Sequence, residues 1–273
     1  MPGDGLHPAA LAFDAVAGIF DSRFGYWLSV AAQRRAVRRI LQETLPAGCR
    51  ILELGSGTGE DALWLASNGH SGTLTDPAPA MLSLARAKLT SFGWQGELLS
   101  AEDLDDFATR YLQNGPSFDA AFSNFAPLNC VTDLTPVARG LARLIKPGGC
   151  AMLVLFGPHC PGEMITELLR GRPRQALRRL KRQPAAARIG GHDFTVTYHR
   201  RGPLRRVMQP WFRQVRRTGI GIFVPPSAAE PWISQHPRLL NMLEALDGLA
   251  ARPFAMLGDH ILYHFERTQA PAP

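Results

Sequence analysis

The sequence predicts an α/β fold, a parallel sheet doubly wound with helices on both faces. Two observations carry this. From residue 50 short apolar, β-rich runs alternate with longer segments of helical periodicity. The helical segments stop at glycine, or at Pro-Gly-Gly, before the next strand begins. Strands are expected near RILEL (50–54), GTLT (72–75), GELLS (96–100), FDAAFS (118–123) and CAMLVLF (150–156). Between them EDALWLASNG stops at Gly69, PAMLSLARAKLTSFG runs to Gly93, and LTPVARGLARLIKPGG ends at Pro147-Gly148-Gly149.

The flanks follow a different rhythm. Residues 11–45 read as two amphipathic helices with a break near Gly25. After Phe156 the pattern gives two short helices interrupted at Gly171 and Pro173, an extended piece at DFTVTYH and a short helix from Leu204. FRQVRRTGIGIFVPP then reads as a long strand closed by Pro225-Pro226, EPWISQHPRLLNMLEALDGLA as a helix, and HILYHFER as a final strand. The expectation is a single domain over 1–273: a helical cap (1–46), a sheet core (47–157), a basic insertion (158–212) and C-terminal strands with a helix (213–267).

Composition narrows the class. With 273 residues, 45% of them hydrophobic, the chain can build one large core. The start MPGDGLHPAALAF lacks the features of a signal peptide, and the apolar run CAMLVLF is far too short to span a bilayer, so a cytoplasmic location is expected. Four cysteines without a CxxC pair argue against a disulfide framework and a zinc site, and no metal is expected. The net charge of +7 is localised: residues 165–217 hold 15 of the 30 Lys and Arg but two of the 23 acids, +13 there against −6 elsewhere.

The stretch ILELGSGTGEDALWLA (51–66) is a glycine-rich turn from strand to helix. A dinucleotide fingerprint needs a third Gly or Ala at position 60, which is Glu60. Glu60 and Asp61 would themselves stabilise the positive end of the helix dipole and repel a phosphate, and Glu53 adds a third carboxylate. Such like-charge contacts cost on the order of a few kcal/mol when partly buried. NAD, FAD and ATP are therefore disfavoured, and a phosphate-free nucleoside carrying positive charge is favoured.

With that loop, the sequence resembles the class I S-adenosylmethionine-dependent methyltransferases, especially the small-molecule branch that includes ubiquinone and menaquinone C-methyltransferases. Glu53-Leu54-Gly55-Ser56-Gly57-Thr58-Gly59 matches the family's E/D-x-G-x-G-x-G, and TDPAPAMLSLARAK, FDAAFSNFAPLN and LARLIKPGG follow at the family's intervals. The resemblance covers roughly residues 10–160. It implies a Rossmann-like, seven-stranded, mostly parallel sheet whose last strand is antiparallel, and S-adenosyl-L-methionine as cofactor with S-adenosyl-L-homocysteine as product. It also implies cofactor contacts at Glu53, Gly55, Ser56, Gly57, Gly59, Asp76, Pro77, Met81, Ala101, Glu102, Asn124 and Phe125. Asp76 would accept the ribose hydroxyls, Met81 would pack on the adenine, and Glu53 would hold the loop and the ligand's ammonium. Ser100 stands where the family often has an Asp that reads the adenine, so Ala101, Glu102 and Asp103 are the substitutes; the acids alternatively cap the next helix. The N-terminal segment often folds over the cofactor in this family, with Phe13, Phe20 and Asp21 in the matching places here.

In-line methyl transfer needs alignment and desolvation more than many catalytic groups. Asn124, at the carboxyl end of a central strand, and His159 with Glu163 one turn on are the catalytic candidates, with His260 and His199 behind them. Each histidine alternatively makes only local hydrogen bonds. The basic insertion reads as a lid over a small, anionic or lipophilic acceptor, or as a contact for a peripheral membrane surface. The alternatives are RNA methylation, a non-catalytic cofactor-binding protein, and a merely solvated basic face. Two aromatics, Phe194 and Tyr198, between Glu163 and Pro210 are few for stacking nucleic-acid bases. Sequence leaves the oligomeric state open.

Overall fold

The computed structural model describes residues 6–181 and 183–273. The chain opens with three helices, α1 (Pro8–Asp14), α2 (Ala17–Phe24) and α3 (Leu28–Thr44). An alternating core follows: β1 (Arg50–Leu54), α4 (Glu60–Ser67), β2 (Ser71–Asp76), α5 (Pro79–Leu89), β3 (Gln95–Leu98), α6 (Leu104–Tyr111), β4 (Phe118–Ser123), α7 (Thr135–Leu144) and β5 (Ile145–Phe156). The insertion comprises α8 (Pro161–Leu169), α9 (Pro173–Ala176), β6 (Ala185–Ile189), β7 (His192–Val196) and α10 (Arg201–Met208). Then come β8 (Phe212–Ile220), α11 (Pro237–Ala250) and β9 (His260–Arg267). No helix among the described residues is long and apolar enough to cross a membrane.

Seven strands form one sheet in the order β3-β2-β1-β4-β5-β9-β8. The first five run parallel, and β9 lies antiparallel between β5 and β8. The apolar runs from Ile51, Leu74 and Phe118 become buried strands because both faces are covered. Leu52, Leu54, Ala121 and Leu153 pack on one side with α6, α7 and α10. Ile51, Leu74, Phe122 and Met152 pack on the other with α3, α4 and α5. The order reverses between β1 and β4, so a crevice opens at the carboxyl ends of these strands, where open α/β sheets bind ligands.

Three expectations change. The N-terminal segment forms three helices rather than two, because it also breaks at Ala15-Val16. AAARI, at the end of the stretch that reads as two short helices, is strand β6, and it pairs with β7 through Gly190-Gly191 at φ +56° and +84°. The long strand ends at Ile220, well before Pro225, because Gly221 turns left-handed at φ +68°.

Cap and insertion meet over the carboxyl edge of the sheet. Phe194 of β7 packs against Phe13 of α1 with ring centroids 5.8 Å apart, among Ala9, Ala12 and Val196. A Cβ on Gly190 would stand 3.0 Å from both Ala15 and Val16, so the hairpin turn can press against the cap only as glycine.

Candidate functional site

The loop between β1 and α4 carries Gly55, Gly57 and Gly59 at φ +65°, +54° and +80°. They do different work. A Cβ on Gly55 would lie 2.4 Å from Pro127, and one on Gly59 would lie 2.9 Å from Ala85, so both are packing glycines. A Cβ on Gly57 would meet nothing within 4 Å, so the middle glycine borders open space. The loop is tied to β2: Ser56 N donates to Thr75 O at 2.9 Å, and Gly57 N donates to Asp76 Oδ2 at 2.8 Å. Asp76 Oδ1 accepts from Ala78 N at 2.9 Å. Burial pushes the Asp76 carboxyl up to about 6, against the pull of these two N–H groups.

Two buried oxygens here have no partner, Glu53 Oε2 and Ser56 Oγ. Glu53 is 2% exposed at the end of β1, and burial, reinforced by the Asp61 charge, holds its carboxyl well above the usual carboxylate range. Partnerless buried polar atoms are uncommon, and these two leave capacity for a hydrogen-bonding ligand or water. Gly55, Pro77, Ser100, Ala101, Glu102 and Leu128 line a cavity alongside the loop, together with Cys130 and Val131. Met81 is fully buried outside that lining, beneath the cap with Val16, Ala17 and Ala78.

The charge argument from sequence is corrected in part. Glu60 pairs with Lys88, while Asp61 pairs with Arg38 at 2.8 Å and Arg34 at 3.4 Å and also accepts from Asn124 Nδ2 at 2.8 Å. Both acids are thus neutralised by cations from α3 and α5. Of the three carboxylates, Glu53 alone has a buried oxygen without a hydrogen-bond partner. The cap is held by the same network: Thr58 Oγ1 donates to Asp21 Oδ1 at 2.5 Å, Lys88 Nζ reaches Asp21 Oδ2 at 2.7 Å, and Ala80 N donates to Asp14 at 2.6 Å. Burial would raise the Asp21 carboxyl, but the bonds from Lys88 and Thr58 hold it below its ordinary value.

At the carboxyl end of β4, Asn124 Oδ1 accepts from Phe125 N at 2.9 Å, and Phe125 and Ala126 both adopt left-handed backbone, φ +55° and +63°. Consecutive non-glycine residues in this region are strained, and here they aim the Phe125 ring. Arg34 stacks on that ring with its guanidinium carbon 4.9 Å from the centroid, and His260 meets it edge-on at 5.8 Å. Asn124 thereby joins the loop acids to this aromatic cluster.

The histidines separate on inspection. His159 is exposed, and Glu163 lies elsewhere, with its oxygens bonded to Arg178 and Arg179. His199 Nε2 lies 2.9 Å from Val131 O, a local bond. His260 is 5% exposed, stacked 4.9 Å from Phe156, with Nδ1 3.3 Å from Asp259 Oδ2, and neither ring nitrogen makes a well-formed hydrogen bond among the described residues. Its place at the start of β9, paired with Phe156, is visible only once the sheet closes. Cys160, Glu163 and Asp259 converge nearby like metal ligands, but Arg179 already supplies the cation. It bonds Glu163 Oε2 and, at 2.6 Å, Asp259 Oδ1, and it stacks 5.1 Å from the Phe156 ring. Despite burial, His260 and Arg179 hold the Asp259 carboxyl well below its usual range, whereas burial pushes the Cys160 thiol up to about 12.

A glycine loop at the switch point of a doubly wound sheet, followed by an acid at the end of β2, is the arrangement of a Rossmann-like fold. Residues 51–149 match the family described as the methyltransferase domain. Over 130 residues the chain is 32% identical to a demethylmenaquinone methyltransferase of Chlorobaculum tepidum, covering 47% of this chain and 48% of that one. The chain spans about half or less of the length of the curated relatives it matches. Among solved structures, an S-adenosylmethionine-dependent methyltransferase from Mesorhizobium loti superposes with a TM-score of 0.54 at 20% identity, covering 86% of this chain and 98% of that one. The [4+2]-cyclase SpnF superposes with a TM-score of 0.61 at 17% identity, covering 95% and 96%. At these identities the two structures establish the fold.

Proposed function

We propose that the protein is an S-adenosyl-L-methionine-dependent methyltransferase acting on a small organic acceptor with a lipophilic or anionic part. The observation that carries this reading is the pair of partnerless buried oxygens, Glu53 Oε2 and Ser56 Oγ, beside the open space at Gly57. A ligand with ammonium and hydroxyl donors and no phosphate suits them. Glu53 would take the ammonium and be ionised by it. Asp76 would accept from ribose hydroxyls with the lone pairs its two backbone bonds leave free. Gly55, Gly57 and Gly59 would admit the ligand to the backbone, and Pro77, Ala101 and Glu102 would flank the adenine.

When bound, the cofactor supplies a methyl group on a sulfonium, an electrophile that needs an aligned nucleophile. The chain's part is to exclude water with the cap and insertion, and to orient the acceptor against Phe125 and Asn124. Where the acceptor carries a proton, His260 is the better base than His159 or Glu163, because its ring nitrogens are buried and lack good partners while Asp259 lies beside Nδ1. A cytoplasmic location suits this chemistry.

Calorimetry with S-adenosyl-L-homocysteine tests the reading: binding by the intact chain, lost in Gly57→Val together with Asp76→Ala, is expected. A chain that fails to bind, or a double variant that binds equally well, overturns it.

A second reading, a cofactor-binding protein on this fold that does not methylate, draws on the likeness to a cyclase. Acceptor-dependent release of S-adenosyl-L-homocysteine separates the two. RNA as acceptor is disfavoured because Phe194 is buried and Tyr198 packs on Phe156, so neither is free to stack a base.

A further inference from the structure

Helix α8 is amphipathic in the reverse sense. Its two acids, Glu163 and Glu167, four residues apart on one face, are 3% and 8% exposed. On the other face Ile165, Leu168 and Leu169 are 59%, 52% and 84% exposed. The inward acids are held by the insertion's own arginines: Glu163 by Arg178 and Arg179, Glu167 by Arg170 at 3.3 Å and Arg172 at 3.9 Å. Alpha9 and the turn after it pack against α8 and add exposed Leu177 and Leu180. A soluble helix of this length should bury its leucines and hydrate its acids. This one has its ionic face inward and its apolar face outward, which calls for an apolar environment outside the protein.

The charge around the patch says which environment. From 164 to 192 the sequence has one acid, the buried Glu167. Exposed Arg170, Arg172, Arg174 and Lys181 border the leucines, and Arg174 and Lys181 make no ion pair among the described residues. Protruding leucines ringed by cations match an interface of acyl chains beneath anionic headgroups. A second copy of this chain would bring the same positive face against itself, so self-association is disfavoured.

We propose that α8, α9 and the following turn form a docking surface for an anionic lipid bilayer, with Leu168 and Leu169 inserting at the acyl boundary and Arg174 and Lys181 meeting headgroups. Glu163, on the inner face of the same helix, bonds Arg179, which stacks on Phe156 beside His260. Docking therefore sets the acceptor side of the site close to the membrane, where a lipophilic acceptor would be concentrated. The surface itself does not depend on the methyl-transfer reading.

Sedimentation of the full chain with vesicles of phosphatidylcholine alone, or of phosphatidylcholine with phosphatidylglycerol, tests the proposal. Binding to the anionic vesicles, weakening with salt, is expected. Leu168→Asp with Leu169→Asp should abolish it, while the melting temperature and S-adenosyl-L-homocysteine binding stay unchanged because both side chains face solvent. Arg174→Gln and Lys181→Gln should each weaken it about fivefold, the equivalent of about 1 kcal/mol per cation at an anionic surface. Equal binding to neutral vesicles, retention in solution with anionic ones, indifference to the leucine variants, or a stable dimer that these variants dissociate would each overturn it.

Discussion

The Asp76 carboxylate accepts the backbone N–H of Gly57 at 2.8 Å, so the acid at the end of β2 shapes the glycine loop before any ligand arrives. Its folded pKa, about 6, lies above the ordinary 3.8 because it is buried. The associated stability is fully present below about pH 4 and lost as pH rises through 6, up to about 3 kcal/mol. Chemical denaturation of the wild type and Asp76→Asn between these pH values should show a steeper fall in the former. Ribose hydroxyls need the ionised form, so affinity for S-adenosyl-L-homocysteine should fall by about tenfold per unit as pH drops well below 6.

Gly55 and Gly57 share a left-handed backbone but should fail differently. Gly55→Ala drives a methyl into Pro127 and should cost more than 2 kcal/mol of stability, read from a denaturation midpoint (roughly, by analogy with overpacked sites). Gly57→Ala pays only the backbone penalty of about 1–2 kcal/mol, yet should cut cofactor affinity at least tenfold in calorimetry.

Arg179→Met leaves the buried Asp259 without its arginine and Glu163 with Arg178 alone, and should destabilise the fold by about 3–5 kcal/mol. Adding Glu163→Gln and Asp259→Asn should recover most of that loss, since the three groups are mutually compensating. Thermal melts of the single and triple variants check this.

His260→Phe keeps a ring against Phe156 and should leave S-adenosyl-L-homocysteine binding intact. Acceptor-dependent turnover should fall by about a hundredfold or more for an acceptor that must lose a proton. Comparing calorimetry with product release separates the two effects.

The parallel core was legible because buried strands read as apolar runs and helices end at glycine. Break points without such marks were not: nothing in Ala15-Val16 announces the end of α1. Strand β6 is alanine-rich and so reads with the helical stretch before it, although Gly190-Gly191 between two short runs was a hairpin signal. The glycine loop and Asp76 stood out by type and spacing. Lys88, Arg34 and Arg38 did not, because the partners of Glu60 and Asp61 lie 22 to 28 positions away and become neighbours through folding. The role of Arg179 was hidden for the same reason, and His260, named behind His159, could not be ranked above it before the sheet closed. The reversed face of α8 is invisible to any rule that sends glutamate outward.

Thr58, one residue past the middle glycine, is bonded to Asp21 of the cap, and Lys88 joins that acid to Glu60 at the head of α4. The loop and the N-terminal helices are consequently latched as one unit. On the proposed function, release of the cap would break the Thr58 and Lys88 bonds to Asp21 together, so its pace would contribute to how fast successive ligands follow one another.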